Sequence, residues 1–253
     1  MRDLSPKEMA AREKVCLPLD GLHSLHEVEA LVEELSPFVG LFKVGKESFT
    51  RFGPQVVRLV QAQGADVFLD LKYHDIPNTV KGAARAATEL GVAIFNVHAA
   101  GGSAMMHAAR AGVEEASDGR GSGARELPRV IAVTVLTSID ETILNRECGV
   151  PGAVEDQVLR LAKLTEAAGL DGIVCSAADM HALKGELNPS FLFVTPGIKG
   201  TITPAGEDQK RVLSPGRAIA AGSSLLVVGR AITGARDRPR AALEVLEDIA
   251  GVL

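Results

Sequence analysis

Tryptophan is absent from the 253 residues, and tyrosine occurs once. Proteins that grip single-stranded nucleic acid rely on aromatic stacking platforms and a basic groove. Here 27 Lys and Arg stand against 32 Asp and Glu, a formal net charge of -5. With no overall basic field, nucleic acid is not an expected partner and any phosphate site has to be local. Cys16, Cys148 and Cys175 lie far apart with no C-x-x-C pair, which argues against a disulfide framework and a thiolate metal centre. No uninterrupted apolar run is long enough to span a bilayer, and the opening stretch MRDLSPKEMAAREK is charged throughout, without the apolar segment of a signal peptide. A cytoplasmic protein with no membrane partner is expected.

What the chain does contain is 46% hydrophobic and 23% charged residues, enough for one large core. Apolar, β-branched segments recur at 14–20, 41–45, 66–72, 92–98, 129–136, 171–176, 191–196 and 224–230. Between them lie stretches such as LHEVEALVEEL, GGSAMMHAARAGVEEA and EDQVLRLAKLTEAAG, with apolar residues three and four apart. Eight strand–helix alternations at this length predict a single (β/α)8 barrel domain over 1–253. The Gly-rich segment SDGRGSGARELP (117–128) follows a helix and precedes a strand, which places it on the barrel's N-terminal face and favours a linker over a phosphate loop.

The ten residues DLKYHDIPNT (70–79) carry unusual charge for a strand end. Side chains alternate along a strand, so Asp70 and Lys72 share one face while Val67, Leu69 and Leu71 take the other. Both ions sit at the C-terminal end of the third strand, where barrels build their sites. Asp20 closes the first strand and Lys43 lies near the end of the second. Taken singly, Asp20 reads equally as a turn residue, Lys43 as a solvated tip, and Asp75 as the cap of a helix starting at Ile76 or Pro77. Charge on three successive strand ends of one face favours a site.

DLKYHDIPNT resembles the D-x-K-x-x-D-I-x-x-T signature of the orotidine 5′-phosphate decarboxylase family. The likeness continues in order through LD at 19–20, FKVG at 42–45, VHA at 97–99, TVLTS at 134–138, VTPGI at 194–198, Asp208-Gln209 and VVGR at 227–230. It implies a cofactor-independent carboxy-lyase that converts orotidine 5′-phosphate to UMP in pyrimidine synthesis. Lys72 would protonate C6 of the pyrimidine after carbon dioxide leaves, in a charge network with Lys43, Asp70 and Asp75. The resemblance further implies a homodimer in which Asp75, Ile76 and Thr79 enter the partner's active site. Asp20 and Lys43 would contact the ribose, and Thr137, beside Ser138, the pyrimidine.

Phosphate would be bound by Gln209 and by Gly229 with Arg230, in keeping with the general use of the loops after strands seven and eight for phosphate. The segment 199–210 is expected to be a mobile phosphate-binding lid. Lys199 stands where the family commonly has arginine, exchanging a rigid fork for a point charge that still binds phosphate. Pro18, inside the first strand, removes an N–H and signals a bulge or an edge. Related metal-dependent decarboxylases of the 3-keto-L-gulonate 6-phosphate type place a magnesium-binding glutamate where this chain has Lys43, and a lysine there repels a divalent cation. The six histidines show no metal-ligand spacing. Of these, His98 reads as a packing residue near the site and His74 as a solvated loop residue. No metal is expected.

Overall fold

The computed structural model describes residues 3–117, 126–198 and 213–253. The short β-branched runs form eight strands: β1 (Val15–Pro18), β2 (Leu41–Gly45), β3 (Asp66–Tyr73), β4 (Ile94–His98), β5 (Arg129–Val133), β6 (Gly172–Val174), β7 (Leu192–Pro196) and β8 (Leu225–Val227). They close a barrel in chain order, with helices in the connections. The (β/α)8 fold predicted from the alternation is therefore the one observed. In a barrel of this class the C-terminal strand ends form the functional rim.

By contact density the chain divides into two compact units, Met1–Phe68 with Val194–Leu253, and Leu69–Phe193. In the first, β1 pairs in parallel with β2 (Cys16↔Leu41, Leu17↔Phe42, Pro18↔Lys43) and with β8, and β7 pairs with β8. Pro18 does not bulge this ladder: it keeps register with Lys43, and the next amide, Leu19 N–H, donates to the Lys43 carbonyl at 3.0 Å. Two helices start where a short polar side chain captures an amide of the first turn: Ser24 does so for Leu25–Leu35 and Asp237 for Arg238–Ala250. Their apolar faces bury Val28, Leu31, Val32 and Leu35, and Ala242, Val245, Leu246 and Ile249.

In the second unit β5 pairs with β4 and β6. The helices Pro77–Glu89 and Ser103–Ser117 pack on each other, and Gly112 permits the approach because a Cβ there would lie 3.1 Å from the Ala84 Cβ. Phe95 is fully buried, as Phe42 is in the first unit, each burial stabilising the fold by about 1.5–3 kcal/mol.

Several strands are shorter at their C-terminal ends than the apolar runs suggest. Pairing ends at Pro18, Val133, Val174 and Val227 rather than at 20, 136, 176 and 230. Apolar runs carry no mark of where a ladder stops, and Asp20, Thr137 and Arg230 lie beyond the last residues of their strands.

After β6 the chain buries a thiol and a carboxyl together. Burial pushes the Cys175 thiol well above its ordinary range, and the Asp179 charge raises it further. Asp179 is itself raised, first by burial and also by Glu155, against the opposing effect of the Ser176 N–H that its carboxylate accepts at 2.7 Å. A carboxyl with a raised folded pKa binds more protons folded than unfolded, so its contribution favours folding at low pH and is lost as pH rises through the folded value. The Asp179→Asn variant keeps an acceptor for the Ser176 amide without the charge. Its melting temperature should fall less than the parent's between about pH 4 and about pH 7. Thermal scans across that range check this, and parallel curves would contradict it.

Candidate active site

In the first unit, β1 and β2 deliver an ion pair. Lys43 Nζ donates to Asp20 Oδ2 at 3.0 Å, and the two side chains are 11% and 44% exposed respectively. Lys43 is thus a buried cation rather than a solvated tip, and Asp20 opens to solvent beside it. The loop carrying Asp20 is pinned by Ser48, a buried hydroxyl that donates to the Leu19 carbonyl at 2.5 Å, and by Gly21 N–H donating to Glu47 at 3.3 Å. Gly45 supplies the room: a Cβ there would lie 2.5 Å from Asp20 Oδ1 and 3.0 Å from Lys43 Nζ. Beyond β8, Gly229 starts the short helix Arg230–Thr233 and faces the Pro18 ring, whose Cγ would be 3.1 Å from an added Cβ. Arg230 is exposed and makes no ion pair among the described residues.

In the second unit, Asp70 and Lys72 meet as their shared strand face requires. Lys72 Nζ donates to Asp70 Oδ1 at 2.5 Å, and Asp70 is buried. Among the described residues Lys72 alone combines a side chain with a positive φ, 53°. Left-handed backbone costs a non-glycine residue on the order of 1–3 kcal/mol and survives only where the surroundings hold it. Asn96, fully buried on β4, makes the two holding contacts. Its Oδ1 accepts the Lys72 backbone N–H at 2.8 Å, and its Nδ2 donates to Asp70 Oδ1 at 2.7 Å.

Asp75, Ile76 and Thr79 are all exposed, with Ile76 at 67%. The helix that follows starts at Pro77 with Ile76 as its N-cap, so Asp75 is not the cap. Its carboxylate accepts the adjacent Ile76 N–H at 2.6 Å and forms no ion pair among the described residues. Thr137 is exposed in the turn after β5. His74 is exposed, but its ring lies 5.4 Å from that of half-buried His98, so it packs as well as meeting solvent. Lys199, Gln209, the expected lid over 199–210 and the linker residues 118–125 fall outside the described residues. Among the described residues no group of three or more His, Cys, Asp or Glu is placed to hold a metal ion, and no helix is long and apolar enough to cross a membrane.

Asn96 lies outside the charge pattern that singles out the other residues. The available signal was a polar residue at the centre of the apolar run AIFNVH, since a buried amide has to find partners for both of its ends.

In a (β/α)8 barrel, lysine–carboxylate pairs at the strand ends lie on the rim where enzymes of this fold build their sites. The chain matches the family model described as orotidine 5′-phosphate decarboxylase / HUMPS over residues 13–245. It is 48% identical to an orotidine 5′-phosphate decarboxylase of Moorella thermoacetica, covering 95% of this chain and 94% of that one. With the enzyme of the same name from Syntrophus aciditrophicus it shares 47% identity, over 98% and 97% of the two chains. The crystal structure of orotidine 5′-phosphate decarboxylase from Lactobacillus acidophilus superposes with a TM-score of 0.80 at 35% identity, covering 93% of this chain and 98% of that one. The chain therefore belongs to the orotidine 5′-phosphate decarboxylase / HUMPS family, and it is a carboxy-lyase.

Filling the space beside the Asp20–Lys43 pair should be felt directly. Gly45→Ala is expected to lower unfolding stability by about 1–3 kcal/mol, because the added methyl forces the carboxylate and ammonium apart. Urea unfolding measures this, and unchanged stability would show that the pair moves aside freely.

Proposed function

We propose that this protein decarboxylates orotidine 5′-phosphate to UMP in pyrimidine biosynthesis, with Lys72 protonating C6. The observation that carries the reading is the buried Asp70 with the Lys72 ammonium held against it, in a chain of this family. Loss of carbon dioxide from C6 breaks the C–C bond and leaves its electron pair in the ring plane, with no adjacent carbonyl to delocalise it. An ammonium beside that atom both stabilises the carbanion and delivers the proton that forms the C6–H bond.

Magnitudes show that the lysine does not act alone. Unit charges about 4 Å apart attract by roughly 4 kcal/mol at an effective dielectric near 20, while demanding enzymes lower barriers by up to about 23 kcal/mol. The remainder would come from binding energy at groups remote from the reacting carbon, used to hold the ring in a preorganised, dry site. In this scheme Asp20 and Lys43 hold the ribose hydroxyls, and Thr137 meets the pyrimidine. Arg230, Gly229, Gln209 and Lys199 hold the phosphate, and the 199–210 segment closes over it. The exposed Arg230 is suited to a dianion, since it has no carboxylate partner among the described residues.

Asp75, Ile76 and Thr79 act in the site of a second subunit. Their exposure and the absence of an ion pair to Asp75 among the described residues support that crossing. The reaction runs without a metal, a reading that rests on Lys43: a buried ammonium repels a divalent cation brought beside Asp20. Free thiols at Cys16, Cys148 and Cys175 favour the reducing cytoplasm.

The purified protein should form UMP from orotidine 5′-phosphate in the presence of EDTA, and Lys72→Ala should lose about a thousandfold or more of that rate. Full turnover in Lys72→Ala, or activity abolished by EDTA and restored by magnesium, would overturn the assignment. A random, equal mixture of Lys72→Ala and Asp75→Asn chains should regain roughly a quarter of the parental rate, because each heterodimer then contains one intact shared site. No recovery on mixing would place Asp75 in its own subunit's chemistry.

A further inference from the structure

We infer that Asn96 is a positioning residue for the decarboxylation, acting through Lys72 and Asp70; the inference rests on the functional reading above. Three observations converge on one side chain. Lys72 holds a backbone conformation that residues with a Cβ avoid, at φ 53°. The Lys72 backbone N–H donates to Asn96 Oδ1 at 2.8 Å. The other end of the same Asn96 side chain donates to Asp70 Oδ1 at 2.7 Å, the oxygen that also accepts from Lys72 Nζ at 2.5 Å.

These contacts form a closed circuit: Lys72 N–H to Asn96, Asn96 to Asp70, and Lys72 Nζ to Asp70. The circuit fixes both the backbone from which the lysine chain springs and the carboxylate on which its ammonium rests. Few side chains can replace asparagine in it. The position requires one acceptor and one donor at opposite edges of a short planar group, fully enclosed on β4. Aspartate keeps the acceptor but sets a carboxylate against Asp70. Alanine removes both contacts and leaves the Lys72 amide without its acceptor.

A Lys72 that swings off its line to C6 costs rate in the chemical step. It need not cost substrate affinity, because Asn96 itself is enclosed behind the pair and has no substrate-facing surface. Misplacement of a reacting group by about 1 Å can cost about 100-fold in rate, and loss of one preorganised hydrogen-bond donor a similar amount.

The test compares the parent, Asn96→Ala and Asn96→Asp in steady-state decarboxylation of orotidine 5′-phosphate, with UMP affinity measured by calorimetry. Both variants should lose about 100-fold in kcat while KM and the UMP Kd stay within about threefold of the parent. Asn96→Asp preserves side-chain volume, so it decides the matter if the alanine variant does not fold. A kcat near the parental value in either folded variant would overturn the inference. So would a loss of UMP affinity in step with kcat in both, because that pattern marks a structural role. A parent that forms no UMP sinks the functional reading and this inference with it, whereas an active parent with parent-like variants sinks this inference alone.

Discussion

A lysine at φ 53° on the last turn of a strand has to be held there, and the Asp70–Lys72 pair with Asn96 across it is what holds it. An ammonium on a flexible four-carbon stem loses considerable rotamer freedom when fixed in one place. Here the fixing is done by a carboxylate two residues away on the same strand and by an amide that grips the backbone. Asp70 is buried and therefore a strong local electrostatic anchor. Burying it in an apolar interior is made tolerable in part by the two donors that meet its Oδ1.

The same logic recurs in the other compact unit with different parts. Lys43 is buried against Asp20, Ser48 pins the carbonyl next to Asp20, and Gly45 keeps the space that both side chains occupy. Paired charges on strand ends, braced by Ser48 and Gly45 in one unit and by Asn96 in the other, suit the proposed reaction, whose demand is electrostatic preorganisation. They also explain why charge is concentrated where strands end. Strand termini offer a fixed backbone without an uninterrupted apolar enclosure, so an ion can be oriented without being wholly desolvated.

Much of this was legible in the chain itself. Eight β-branched runs with helical spacing between them specify the barrel, and period-two alternation correctly sets Asp70 and Lys72 on one face. Strand ends were less legible: the runs 14–20, 129–136 and 224–230 extend past the last paired residues, since composition does not record where a ladder ends. Pro18 makes no bulge, since its register with Lys43 is kept, and of the two readings the edge fits better, because the pairing of β1 with β8 stops at Cys16 and no partner strand needs the missing N–H. Asp75 before Ile76-Pro77 has the composition of a cap, but the helix takes Ile76 as its N-cap and leaves Asp75 outside. Asn96 is inconspicuous in the chain because its partners lie 24 and 26 residues away, which no local pattern reveals. The left-handed Lys72 was likewise hidden, for nothing in DLKY distinguishes it from an ordinary strand residue.

In the proposed mechanism a fixed Lys72 ammonium exchanges a proton with C6 of the pyrimidine. By microscopic reversibility, the group that protonates the C6 carbanion must also be able to remove the C6 proton from UMP. Incubating UMP with the protein in deuterated water and following the C6–H resonance by NMR isolates that step from carbon dioxide release. The parent should exchange this hydrogen for deuterium at a measurable rate, and Lys72→Ala should leave it at the rate of free UMP. Exchange that persists undiminished in Lys72→Ala would assign the proton to another group and contradict the account.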